Sequence, residues 1–333
     1  MSVVEIYMVI GFLLAAYSVV ANDSIQTLGT FLASNAQRPW WVLWMFAGSI
    51  MLAVIFYSWF VNDGDPAYGL LDKFPEPIGG ISWLHAIPPL ALLILTRLGV
   101  PVSTTFLVLT VFAVTGGETS NIAKMLTKSA LGYVVAFVAA IGLFALVFKR
   151  ASEYFHRTKG DTIPTYWVVL QWASTGFLWS MWLIQDLANI FVYLPRQLSV
   201  SWLVFGIITL LAMQGYIFYR FGGAIQKIVT SKTDTTDIRA ATIIDFIYGL
   251  VLLVFKFMLP WVSPDLNIPM STTWVFLGVL AGREFALSFY LSDTSTRGTV
   301  SKVMSDALKA LSGLVVSVVL AFGLPWLYNL MVL

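Results

Sequence analysis

The 333-residue chain has no cysteine, only two histidines and few charges, with Asp, Glu, Lys and Arg making up 11% of it. Without cysteine there is no disulfide framework, no thiolate nucleophile and no Cys-ligated metal, and His85 and His156 alone do not suggest a histidine metal cluster. A soluble chain carries about a quarter charged residues to cover its surface. This one has less than half of that, so lipid is its main solvent. The 19 Lys and Arg nearly balance the 17 Asp and Glu, leaving no basic footprint for nucleic acid. Gly79-Gly80, Gly116-Gly117 and Gly222-Gly223 lack the Gly-Lys-Ser/Thr context of a phosphate loop. Apolar residues, by contrast, make up 59% of the chain, and the mean hydropathy is +0.84. Its 13 Trp, 13 Tyr and 24 Phe cluster as in Pro39-Trp-Trp-Val-Leu-Trp44 and Leu178-Trp-Ser-Met-Trp182, the pattern of interfacial aromatic belts. Chemistry is left to carboxylates, carboxamides, hydroxyls and backbone.

A spanning helix needs about 20 mainly apolar residues. Residues 3–20, 40–61, 130–148, 166–184, 201–219 and 310–331 qualify. Two further apolar regions are interrupted: 82–115 by Gly99 and Pro101, and 240–287 by Pro260, Pro264 and Pro269. Broken backbone at membrane depth persists only where protein or a water-filled cavity satisfies it, so both regions read as re-entrant hairpins. The first segment opens Met1-Ser-Val-Val-Glu5, with an acid where a secretory signal has its basic region, and reads as a retained helix. With hairpins that enter and leave on one side, both termini fall outside. Twelve bases, among them Arg38, then lie in inner loops, four (Lys73, Lys124, Lys128, Arg196) in outer loops and three (Arg97, Lys256, Arg283) in the hairpins, obeying the positive-inside bias. The polar stretch 230–237 reads as a solvated loop.

The chain also resembles itself. Val100-Pro-Val-Ser-Thr-Thr105 matches Ile268-Pro-Met-Ser-Thr-Thr273 at an offset of 168, and Asn22-Asp-Ser-Ile-Gln26 matches Gln185-Asp-Leu-Ala-Asn189 at an offset of 163. The expected fold is an all-α polytopic membrane protein of two repeats, 1–160 and 161–333, each with about three spanning helices plus a broken hairpin. An odd number of crossings turns the second copy upside down. Inverted repeats with broken helices mark secondary transporters, whose sites lie near the midplane between the repeats.

These paired motifs resemble the duplicated signatures of the inorganic phosphate transporter (PiT) family, Gly-Ala-Asn-Asp-x-x-Asn and Pro-Val-Ser-Thr-Thr-His in each half. The chain departs from them at Gln26 and Gln185, where the family has Asn, and at Phe106 and Trp274, where it has His. The resemblance implies an inverted repeat that moves phosphate, in some members sulfate, with sodium or protons, as a homodimer in the plasma (inner) membrane. It implies no enzyme activity and no cofactor beyond coupling ions.

The residues suit that chemistry. Pro-x-Ser-Thr-Thr at the start of an apolar run is a helix-start signal, and a helix N-terminus in a low-dielectric site attracts anions. Two such tips would bring Ser103, Thr104, Thr105, Ser271, Thr272 and Thr273 to one cavity able to hold a tetrahedral oxyanion; the plainer reading is a pair of ordinary buried caps. Asp23 and Asp186, at or just past the ends of apolar stretches, are costly to bury unless paired. With Asn22, Gln26, Gln185, Asn189 and unwound carbonyls they would supply hard oxygens for sodium, and proton coupling by the same acids would look identical. Alternatively, Asp23 caps a short interfacial helix. Arg196 and Arg283 are candidate anion contacts; Arg283 and its neighbour Glu284 are not expected to face each other. Lys256 reads as a snorkelling residue, His85 as a satisfied buried histidine, and Asp245 as a further acid near the second cation site. A passive anion channel and an intramembrane hydrolase are the competing classes.

Overall fold

The computed structural model describes residues 2–97, 102–157, 163–222, 238–290 and 296–332. Gly99, Pro101, Lys159, Lys227, Lys232 and the stretch 230–237 lie outside them. The described chain is helical: α1 Val3–Ser34, α2 Trp40–Val61, α3 Ile87–Arg97, α4 Thr104–Thr115, α5 Ser120–Arg157, α6 Thr165–Phe191, α7 Val200–Tyr219, α8 Ile238–Leu253, α9 Thr272–Tyr290 and α10 Thr296–Val332. Six helical stretches are long and apolar enough to cross a membrane: Val3–Ser24, Trp40–Val61, Ser120–Leu143, Val200–Tyr219, Ala241–Val262 and Val303–Leu327. The chain is an integral membrane protein, and its outward side chains such as Phe60 and Trp261 are apolar where a soluble protein would be charged.

Three spans differ from the sequence reading. The stretch 166–184 lies in α6, but α6 is not among the six. Its start is exposed at Tyr166, Val169 and Leu170, but it packs on α1, α2 and α8 and carries the buried polar residues Gln171, Thr175, Gln185, Asp186 and Asn189. The stretch before Pro260 is not broken there. α8 continues through a π turn, Val254–Met258, into a last turn, Leu259–Val262. A proline ring clashes with the carbonyl four residues back, and the wider turn just before it re-registers the ladder, so the helix breaks only at Ser263. Finally, α5 starts at Ser120, ten residues ahead of expectation, so Lys124 and Lys128 lie on a spanning helix and not in an outer loop.

Helix pairing sets the site. α1 and α6 run antiparallel: Phe12 meets Phe191 at 6.0 Å between ring centroids, while at the other end Phe31 meets Trp172 at 5.1 Å and Asn35 donates to Gln171 at 2.8 Å. α2 and α7 do the same, with Trp40 against Tyr219 at 5.7 Å and the Trp59 indole donating to the Leu198 carbonyl at 2.8 Å. Two further long pairs run parallel and exchange partners between the halves. α9 lies along α5, with Gly278 against Tyr133 and Gly282 against Phe137, and α4 lies along α10, where Leu107 clusters with Val316 and Val111 with Ala321. Each Ser-Thr-Thr helix is thus held by the last helix of the opposite half.

Candidate functional site

Both Ser-Thr-Thr turns open helices, and both serines cap them. The Ser103 hydroxyl accepts from the Phe106 N–H at 3.3 Å, and Ser271 accepts from Trp274 at 3.3 Å. The two tips face each other and touch: the Thr105 hydroxyl donates to the Met270 carbonyl at 3.2 Å, and the Phe106 and Trp274 rings lie 5.8 Å apart. The sequence suggested six hydroxyls around an open space. Polar groups at membrane depth must find partners within the protein, and here the threonine hydroxyls find the opposite tip and the acids.

Asp23 sits on α1 with Oδ1 accepting from Asn22 Nδ2 at 2.6 Å and Oδ2 accepting from the Thr104 hydroxyl. Gln26 reaches back to Asn22 at 3.5 Å. Asp186 sits on α6 with Oδ1 accepting from Asn189 Nδ2 at 2.6 Å. Asn189 also donates to Thr105 at 3.2 Å, tying α6 to the tip of the other half. Both acids are buried, at 2% and 1% exposure. Around Asp186 three buried oxygens have no hydrogen-bond donor among the described residues: Gln185 Oε1, Asp186 Oδ2 and Asn189 Oδ1. Oxygens left without donors in a dry interior are a ligand set for a hard cation.

Two expectations fail here. Asp23 does not cap a short interfacial helix, because α1 continues eleven residues beyond it to Ser34. Nor are the acid motifs unwound, since α6 stays helical through Asp186 to Phe191, its carbonyls in the helical ladder, and only side-chain oxygens are on offer.

No protein-family model matches the sequence, and no curated protein matches it. The chain folds like a solved transporter. A structure described as "The sodium-dependent phosphate transporter" aligns with 99% of this chain and 100% of its own, at a TM-score of 0.63 and 15% identity. At that identity the likeness is one of fold.

Against that shared fold, the flanking charges of this chain take definite places. Lys128, fully buried on α5, donates from Nζ to the Ile268 carbonyl at 2.7 Å, and its neighbour Ser129 accepts from the Ser271 N–H at 2.9 Å. Together they fix the second tip from behind. The signal for this was a lysine two residues before an apolar run, taken for a loop residue. The Tyr248 hydroxyl of α8 donates to the Thr272 carbonyl at 2.9 Å, a contact with no sequence signal. Arg196 does not reach the tips. Its guanidinium donates to the carbonyls of Phe74 at 2.9 Å and Val192 at 2.8 Å, beside a cavity of about 510 Å³ lined by Asp65, Asp72 and Glu76. Burial raises the Asp65 carboxyl there, opposed by the Ala67 and Gly69 N–H groups. Arg283 does meet its neighbour, with Nη1 3.4 Å from Glu284 Oε1, because two long side chains can bend toward each other beside the helix where short ones cannot. Lys256 reaches out of its helix to the loop after α2, donating to the Tyr68 carbonyl at 3.1 Å. His85 is buried and paired, with the Ser82 N–H at 3.1 Å and the Thr115 hydroxyl at 3.1 Å.

Proposed function

We propose that the protein is a secondary transporter of a small inorganic oxyanion, phosphate first, driven by sodium bound at Asp23 and Asp186. The observation that carries this reading is the meeting of two buried helix N-termini at two buried aspartates, with Thr104 bonded to Asp23 and Asn189 linking Asp186 to Thr105. A helix N-terminus favours an anion and an aspartate favours a cation. A site holding both is stable when both ligands are present and poor for either alone, which is the coupling that symport needs. Ser103, Thr104, Thr105, Ser271, Thr272 and Thr273 would hold the anion. Asn22, Gln26, Gln185 and Asn189 would complete the cation shells.

The antiparallel pairing of α1 with α6 and of α2 with α7, and the partner exchange of α4 and α9, support an inverted repeat with its divide near residue 160. The solved sodium-dependent phosphate transporter of the same fold supports the substrate and the coupling ion. We read the protein as a transporter and not as an enzyme, since the acids face hydroxyls and carboxamides.

Purified protein should be stabilised against heat by phosphate in sodium and much less in choline. A ligand at one hundred times its Kd contributes about 2.7 kcal/mol. Sulfate preferred over phosphate would change the substrate, phosphate binding indifferent to sodium would remove the coupling, and no response to any oxyanion would end the proposal.

A further inference from the structure

Lys128 is a buried base without a counter-charge. It lies fully buried in the part of α5 long and apolar enough to cross the membrane, and its ammonium donates to one acceptor among the described residues, the Ile268 carbonyl at 2.7 Å. The ion pairs among those residues are Lys124 with Asp265 and Arg283 with Glu284, so no described carboxylate pairs with Lys128. A carbonyl satisfies one N–H of an ammonium and cancels none of its charge. A charge kept at membrane depth without a partner is costly, and such residues mark the path or the site of an ion.

What lies beside this ammonium is the second tip. Ile268 stands three residues before Ser271, and Ser129, next to Lys128 on α5, accepts from the Ser271 N–H at 2.9 Å. The length of chain between those two contacts keeps the ammonium within about 12 Å of the Ser271 N–H. The first tip is backed differently. There Leu107 of α4 clusters with Val316 and Leu320 of α10, and α10 has no charged side chain beyond Lys309. The two halves thus supply matched hydroxyls and matched acids, and only the second tip adds a positive charge. A position that needed filling alone would be served by the apolar side chains that serve the first tip.

We propose that Lys128 determines the charge of the oxyanion the site takes: its standing positive charge favours a tetrahedral dianion, such as hydrogen phosphate or sulfate, over a monoanion such as dihydrogen phosphate. At about 12 Å and an effective dielectric constant of about 20, each unit of anion charge changes binding about tenfold, so a dianion gains about 100-fold and a monoanion about tenfold. The hydroxyls and N–H groups of the tips make the contacts, and the ammonium acts on them through its field. A sodium at each acid cancels the charge of that acid. Lys128 then offsets one further charge on the anion and stays behind when the anion leaves. This selection rests on the transport reading above.

The test uses the purified full-length protein in saturating sodium at one fixed pH, with monofluorophosphate as the tetrahedral dianion and difluorophosphate as the monoanion, and reads the apparent Kd of each from thermal stabilisation. The parent should hold monofluorophosphate more tightly by about tenfold. Lys128→Met should weaken monofluorophosphate about 100-fold and difluorophosphate about tenfold, so that the preference falls about tenfold. Lys128→Gln should do the same and carries the test should Lys128→Met fail to fold, while Lys128→Arg should keep the parental preference. A preference unchanged in the neutral variants, or an equal loss for both anions, is what a residue that merely pegs the Ile268 carbonyl would give, and overturns the proposal. So does a parent with equal affinity for the two anions, a result that needs no variant, and so does a parent that binds phosphate and neither probe, which would place the discrimination in hydrogen bonds. Each of these outcomes leaves the transport reading standing, whereas a parent that responds to neither probe nor to any other oxyanion overturns both.

Discussion

Asp23→Asn and Asp186→Asn are each expected to reduce sodium-driven phosphate uptake into proteoliposomes by about 100-fold or more. Asparagine keeps the size of the side chain and one acceptor oxygen, so the packing of α1 and α6 survives. What it removes is the charge that pairs with the cation. The anion would then enter a buried site without a counter-ion, at a cost of several kcal/mol, and each 1.4 kcal/mol is tenfold in binding. The two variants should differ in detail. At Asp23 both carboxylate oxygens already accept, from Asn22 and Thr104, and the Thr104 hydroxyl can turn to meet a new amide. At Asp186 the neighbouring Gln185 and Asn189 oxygens have no donor, so an amide there can bond to them and close the cation site. Asp186→Asn should therefore fold at least as stably as the parent while losing sodium affinity more completely. Uptake at the parental rate by both variants would refute the assignment.

The helical class, most of the spans and both motif pairs could be read from the sequence, because apolar length and a repeated string are local properties. The failures were of a different kind. The second half of α6 is enclosed by protein and carries polar residues, so only its first part, where Val169 and Leu170 are exposed, has the apolar surface of a span. Lys128 was assigned to a loop because hydropathy falls at a charge, yet its amine is held by a carbonyl from a hairpin 140 residues away. Pro260 looked like a break, and a π turn absorbs it. Spacing on one helix argued against an Arg283–Glu284 contact, but long side chains are not bound by Cβ geometry. The facing of the two tips was legible in outline, since two matched helix starts in inverted copies must approach one axis. That they would touch, with threonines reaching the acids, depends on how tightly α5 and α10 hold them.

That tightness yields the other large expectation: Gly278→Val and Gly282→Val should each unfold or badly destabilise the protein and abolish uptake. Without a hydrophobic drive between helices in lipid, close packing of small residues holds them together. α9 presents Gly278 and Gly282, spaced four apart, to Ala136 and Ala140 of α5, also four apart. A Cβ added at Gly278 would lie 3.0 Å from the Ala136 Cβ and would collide with the Tyr133 carbonyl; one at Gly282 would lie 2.7 Å from the Ala140 Cβ and collide with the Phe137 carbonyl. Backbone cannot swing aside as a flexible side chain can, so α9 must move away. A single extra methyl forced into a packed core costs about 1–3 kcal/mol, and valine adds two more carbons at each site. Gly278 lies six residues beyond Thr272, so the shift is carried directly to the tip that meets Thr105 through the Met270 carbonyl. Even Gly278→Ala should lower the melting temperature and the uptake together. Gly142→Ala, on α5 where an added Cβ has nothing within 4 Å, should instead be neutral or raise stability by up to about 1 kcal/mol through helix propensity. Comparing the two by thermal melting in detergent separates close helix contact from any general sensitivity of α5 and α9. If Gly278→Val melts with the parent, the small-residue contact is not what holds the second tip in place.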